Sequence, residues 1–146
     1  MRCTKRGVMS VSFINKLFKS KSNDDFCTAV VLAAGNSQRM GKDKILMPLG
    51  GGPVIAHTLK ALQSAECIDE IVVVTKYERL QELADICHDH GISKASKVVV
   101  GGKTRLESSL IGVSNADERA KYIAIHDGAR PFVTNSLIVP VRHSAH

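Results

Sequence analysis

Tryptophan is absent from this sequence and tyrosine occurs only twice, so aromatic residues make up just 4% of its 146 positions. A protein that binds single-stranded nucleic acid needs aromatic platforms between its cations, and this chain has almost none. A nucleic-acid partner is therefore not expected, although the formal net charge is +6. That charge is unevenly placed: Arg2, Lys5, Arg6, Lys16, Lys19 and Lys21 stand against Asp24 and Asp25, which puts +4 of it within residues 1–26. The rest of the chain is nearly neutral and carries no basic stripe. Also missing is any apolar run near the ~18 residues that cross a bilayer, or an apolar N-terminal core followed by a small-residue cleavage site. A cytoplasmic protein without a membrane span is the expectation. Cys3, Cys27, Cys67 and Cys87 form no CxxC pair, which argues against a zinc site or disulfide framework and for isolated thiols in a reducing compartment. His88 and His90, two apart on an expected helix, point in different directions and make a poor metal pair.

What the sequence does contain is 44% hydrophobic and 23% charged residues, the balance of a globular domain long enough to bury its own core. Residues 1–26 read as a basic, flexible N-terminal extension and 27–146 as the folded domain. Within the extension, Phe13, Ile14, Leu17 and Phe18 share one face of a short helical pattern, a feature shared by a frayed segment and by one that touches an acidic membrane surface.

From Cys27 onward, apolar β-branched runs alternate with amphipathic ones. CTAVVLAA is a continuous apolar run, expected to be a strand buried on both faces. PVIAHTLKALQSA is a helix with Pro53 suited to its first turn. EIVVVT is a second strand, YERLQELADICHDHG a helix closed by Gly91, and KVVV a third strand. TRLESSLIGVSNAD is a helix, with Thr104 as its cap and Glu107 three residues on. YIAIHDGARPF is a fourth strand that breaks at Asp127 and Gly128. The run FVTNSLIVPVRHSAH then begins a helix or turn.

This alternation predicts a three-layer α/β fold: a mostly parallel twisted sheet with helices on both faces, of Rossmann-like type. In such sheets ligands gather at the carboxyl ends of the strands. The first, third and fourth strands end in LAAG, VVGG and IHDGARP, so three glycine-bearing loops are expected to converge on one edge. In the first of them, LAAGNSQRMGKDK, a glycine turn lets the backbone approach phosphates while Arg39, Lys42 and Lys44 supply positive charge. Two familiar phosphate motifs do not fit. A P-loop needs Ser or Thr after its lysine and one residue fewer between its glycines, and GxGxxG fails because position 37 is Ser.

The same stretch does fit the nucleotidyltransferase pattern AAGxSxRMGxDK, in Ala33, Ala34, Gly35, Ser37, Arg39, Met40, Gly41, Asp43 and Lys44. Together with VVGGKTRLESSLIG and IHDGARPFV, the segment from Thr28 to about Ser136 resembles the cytidylyltransferases of the non-mevalonate isoprenoid pathway. The first motif alone is shared with molybdenum-cofactor and sugar-phosphate nucleotidyltransferases, which stay open as alternatives on that motif.

The resemblance implies a reaction in which the phosphate of 2-C-methyl-D-erythritol 4-phosphate attacks the α-phosphorus of CTP and pyrophosphate leaves. It implies Arg39 and Lys44 as catalytic cations, with Lys42 as a substitute for the latter. Ala33, Ala34 and Gly35 would hold the triphosphate, and Gly101, Gly102, Arg105 and Ser108 would lie on the nucleotide side. Asp127 would sit near nucleotide, substrate and metal, and Arg130 near the acceptor. The implied metal is Mg²⁺, bridging phosphate oxygens. His126 is expected to orient structure rather than transfer protons. Family members are homodimers with a dimerisation arm and acceptor-binding residues beyond the matched region. That arm is not recognisable here, so a C-terminally truncated domain, or a non-catalytic nucleotide-binding fragment, is the competing expectation.

Overall fold

The computed structural model describes residues 25–35, 43–131 and 140–142. Residues 1–24 of the basic extension, which include Phe13 to Phe18, lie outside the described residues.

Four parallel strands form the centre: β1 (Cys27–Ala33), β2 (Glu70–Thr75), β3 (Ala95–Val100) and β4 (Tyr122–Asp127). Their spatial order is 3-2-1-4, with a short β5 (Pro140–Arg142) added antiparallel to β4. Helices α1 (Val54–Gln63), α2 (Leu80–Asp89) and α3 (Arg105–Ser114) fill the crossovers. A parallel neighbour cannot be reached by a tight turn, so each crossover carries a helix. The expected three-layer α/β architecture is what the chain adopts. β5 departs from the expected helix or turn after Pro131. Pro140 has no N–H to donate, and an edge strand is where a sheet tolerates it.

β1 and β2 are buried at every position, as their unbroken apolar runs require. Alternate side chains divide between two cores. Ala29, Val31, Ile71 and Val73 pack with Ile55, Leu59, Leu62 and Leu83 beneath α1 and α2. Val30, Leu32 and Val74 face the opposite way, with Val113 of α3 against them. α3 lies so close to β1 that a Cβ on Gly112 would stand 2.2 Å from Val30 Cγ1.

At the amino ends of the strands, buried Glu70 ties the sheet together. Its carboxylate accepts from Thr28 Oγ1 at 2.7 Å, Ser96 Oγ at 2.5 Å and the Asp117 N–H at 2.8 Å. This end is built for stability. The carboxyl ends carry the loops, and the order reverses between β1 and β4, the point at which an open sheet leaves a crevice.

Candidate active site

At that crevice lies a cleft of about 650 Å³. Its lining comes from three strand ends and their loops: Ala33, Ala34 and Gly35 at the end of β1, Gly102 to Arg105 after β3, and Asp127 and Ala129 at the end of β4. Lys44 and Asp43, from the far end of the first loop, complete one wall, and Ser108 reaches in from α3. A second cleft of about 660 Å³ lies between α2 and β3, lined by Gly91 to Ser93 at the amino end of that strand. It receives no loop from a strand's carboxyl end.

The β1 loop returns to the structure as a short 3-10 turn, Lys44–Leu46, anchored by buried Ile45. The chain beyond it folds back on itself, with Leu49 N–H donating to Gly52 O at 2.8 Å and Val54 N–H to Met47 O at 2.9 Å. His57 Nε2 donates to the Leu49 carbonyl from α1. Lys44 is exposed at the cleft.

The β3 loop is held by the start of α3. Thr104 Oγ1 accepts from the Glu107 N–H at 3.1 Å, while the Glu107 carboxylate accepts from the N–H groups of Lys103 at 2.6 Å and Thr104 at 3.4 Å. The expected capping box is therefore present. Ser108, 4% exposed, accepts from the Gly102 N–H at 3.2 Å. These amides are satisfied within the chain, so the loop makes a rigid platform rather than an open phosphate cradle. The paired glycines serve the same packing. A Cβ at 101 would lie 2.6 Å from Ser108 Oγ, and one at 102 would lie 2.4 Å from Glu107 Cβ. These glycines thus have a local reason as well: they admit the first turn of α3.

The β4 loop bends at Asp127. Its Oδ1 accepts from the Ala129 N–H at 3.0 Å, and its backbone carbonyl accepts from the Arg130 N–H at 3.2 Å. From below, the buried Thr58 hydroxyl of α1 donates to Gly128 O at 2.9 Å. Asp127 Oδ2 is left facing Arg105 across the cleft, 4.0 Å from Nη1. Buried His126 donates through Nε2 to Arg130 O at 3.2 Å, and burial holds its pKa below the usual imidazole value. A neutral ring occupied in this way braces the turn.

Of the residues expected at the site, Ala33, Ala34, Gly35, Lys44, Gly102, Arg105, Ser108 and Asp127 line the one cleft. Gly101 stands directly behind it, against Ala34 and Ser108. Arg130 is exposed on the adjoining turn and does not line the cleft. Arg39 and Lys42 lie outside the described residues. Lys103, Thr104 and Asp43 were not expected, yet they line it too. For Lys103 and Thr104 the signal was present in the sequence, since they fill the interval between the glycine pair and Arg105. Electrostatically the wall offers Lys44, Lys103 and Arg105 against Asp43 and Asp127, and Asp43 is already paired with Arg79 Nη2 at 2.8 Å. A polyanion is the complementary ligand.

Among the described residues, no group of three or more His, Cys, Asp or Glu side chains could hold a metal ion. One open carboxylate at a cationic cleft suits a divalent ion that brings phosphate oxygens and waters as its other ligands.

Comparison with known proteins agrees with this geometry. Residues 27–145 match the sequence profile of the family IspD: 2-C-methyl-D-erythritol 4-phosphate cytidylyltransferase. The protein of that name from Clostridium tetani is 38% identical over 112 residues, covering 75% of this chain and 45% of the relative. The one from Halalkalibacterium halodurans is 37% identical over 113 residues, covering 76% and 49%. Among solved structures, 4-diphosphocytidyl-2C-methyl-D-erythritol synthase from Anaerococcus prevotii aligns with a TM-score of 0.65 at 27% identity, covering 78% of this chain and 48% of its own. The Francisella tularensis cytidylyltransferase aligns with a TM-score of 0.55 at 26% identity, covering 75% and 46%. The chain thus spans just under half the length of these relatives. With its sheet order, its three converging loops and a profile match running from β1 to residue 145, the chain belongs to the 2-C-methyl-D-erythritol 4-phosphate cytidylyltransferase family.

Proposed function

We propose that the cleft binds CTP and transfers its cytidylyl group to 2-C-methyl-D-erythritol 4-phosphate, releasing pyrophosphate. One observation carries the reading: Lys44, Arg105, Ser108 and Asp127, drawn from three separate strand ends, line a single cleft at the sheet's switch point. The family match supports CTP as the nucleotide and 2-C-methyl-D-erythritol 4-phosphate as the acceptor.

The chemistry asks for little beyond position and charge. A phosphate monoester has a second pKa of about 6, so the acceptor is largely ionised at neutral pH and needs no general base. His126, neutral and committed to the Arg130 carbonyl, is consistent with that. What the reaction needs is to hold two anions together and to neutralise charge on the α-phosphoryl oxygens and the departing pyrophosphate. Lys44 is the cation for this task, with Arg39 of the same loop as its partner. The turn at Ala33 to Gly35 carries the triphosphate. The satisfied platform of Gly101 to Ser108 carries the base, and Arg105 flanks it. Arg130, exposed on the adjoining turn, is the residue we assign to the acceptor. A divalent ion, Mg²⁺ in our reading, would neutralise the phosphates when bound, and Asp127 is the residue that would hold it. Cys27, Cys67 and Cys87 are buried and held in no disulfide, which suits a reducing, cytoplasmic setting. Among the described residues no helix is long and apolar enough to cross a membrane.

The test is release of pyrophosphate from CTP in the presence of the acceptor phosphate and Mg²⁺. Acceptor-dependent release is expected. Because the chain spans under half of its relatives' length, a second reading is a nucleotide-binding unit without turnover, and CTP binding with no release would select it. Neither binding nor release would refute both.

A further inference from the structure

The sequence points to three loops at the cleft, but the loop after β2 also takes part, through a residue that does not line it. β2 ends at Thr75 and the chain turns through a 3-10 segment, Tyr77–Arg79, before α2 begins. Arg79 sends Nη2 to Asp43 Oδ2 at 2.8 Å and Nη1 to Glu82 Oε2 at 3.1 Å. Its guanidinium thus sits between the residue immediately before Lys44 and the first turn of α2. The Asp43 side chain is 16% exposed and that of Arg79 26%, whereas Glu82 is 51% exposed. The pairing with Asp43 is therefore the less solvated of the two, and planar Arg fits such a bridging role better than a point charge. Asp43 in turn caps the turn that presents Lys44: its backbone carbonyl accepts from the Leu46 N–H at 3.2 Å, and Lys44 O accepts from the Met47 N–H at 3.4 Å.

We propose that Arg79 is a positioning residue: by clamping Asp43 from the β2 loop, it fixes the Lys44 end of the phosphate loop to the rigid sheet edge. Pre-organised charge is worth more to binding than charge that must be ordered when the ligand arrives. The family pattern identifies Asp43 and Lys44 as neighbours, and this contact gives the aspartate its task.

The clamp is tested first without ligand, by amide hydrogen exchange on the full 146-residue chain. Arg79→Gln is expected to speed exchange at Leu46 and Met47 about fivefold, the upper range for a partly solvated ion pair. Because the pair exists only in the folded state, global stability falls by the same modest factor, and Val72 and Val73 in β2 exchange no more than about fivefold faster. Arg79→Lys restores most of the protection, and Glu82→Gln leaves the two amides unchanged. If Arg79→Gln fails to fold, Asp43→Asn removes the same pair from the other side and is read in the same way. Wild-type exchange at Leu46 and Met47 in Arg79→Gln overturns the proposal, as does an equal effect from Glu82→Gln. The second arm rests on the nucleotide reading: Arg79→Gln is expected to weaken binding of CTP with Mg²⁺ about fivefold. A wild-type chain that binds no CTP would count against that reading, while the exchange data would still decide on the clamp.

Discussion

Replacing Thr58 by Val asks whether the turn at the candidate site is held from within the core. Thr58 is fully buried in α1, and its hydroxyl donates to the carbonyl of buried Gly128, 70 residues away in sequence and next to Asp127. Valine keeps the side-chain volume, so no cavity forms. What is lost is the donor, and the Gly128 carbonyl is left in a place water does not reach. An unsatisfied buried acceptor costs about 1–3 kcal/mol. With a urea slope of about 1–3 kcal/mol/M, the midpoint should fall by roughly 1 M. Thr58→Ser is the control: it keeps the donor and loses a methyl group, for about 0.5–1.5 kcal/mol. Global stability alone separates the two poorly, but local exchange does so cleanly. In Thr58→Val the amides of Ala129 and Arg130, which bond to Asp127, should exchange faster, whereas in Thr58→Ser they should not. A Val variant with wild-type stability and an unaltered turn would refute the reasoning.

Other perturbations have expected outcomes of the same kind. Glu70→Ala strips the partner from Thr28 Oγ1, Ser96 Oγ and the Asp117 N–H, and should lower stability by about 3 kcal/mol or more in urea unfolding. Gly112→Ala sets about 1 kcal/mol of gained helix propensity against a Cβ 2.2 Å from Val30 Cγ1; overpacking of about 1–3 kcal/mol should win, and calorimetry should show a lower Tm. Burial lowers the pKa of His126 from the usual imidazole value of about 6.5, so between that lowered value and about 6.5 the unfolded chain binds more protons than the folded one. Stability should therefore fall as pH drops below about 6.5, and His126→Gln should flatten that part of the urea-midpoint profile.

Much of the fold was legible in the sequence because each strand and helix declares itself locally. CTAVVLAA and EIVVVT are apolar without alternation because both of their faces are covered, and Thr104 with Glu107 marks the start of α3 by a local hydrogen-bond exchange. Convergence of the three loops followed from the rule for parallel sheets rather than from any one residue. Contacts joining distant segments were not legible. Nothing local in YERL says that Arg79 meets Asp43, and nothing in AHTL says that Thr58 meets Gly128. The start of β3 at Ala95, two residues before KVVV, was missed for a related reason: an edge strand is half exposed, and Ala95 and Ser96 show no apolar run that would mark them as strand. The glycine pair stood out in the sequence, but its packing task did not, because the approach of Ser108 and Glu107 appears only once α3 is folded back.

The central claim, a cleft whose fixed charge and rigid platform select cytidine triphosphate, is tested most directly by calorimetric titration of the chain with CTP, UTP and GTP in turn, each with Mg²⁺. CTP should bind more tightly than the other two, and Lys44→Ala should weaken it about tenfold, as loss of a charge-assisted contact to phosphate requires. Equal, feeble binding of all three nucleotides, unaffected by Lys44→Ala, would contradict the account.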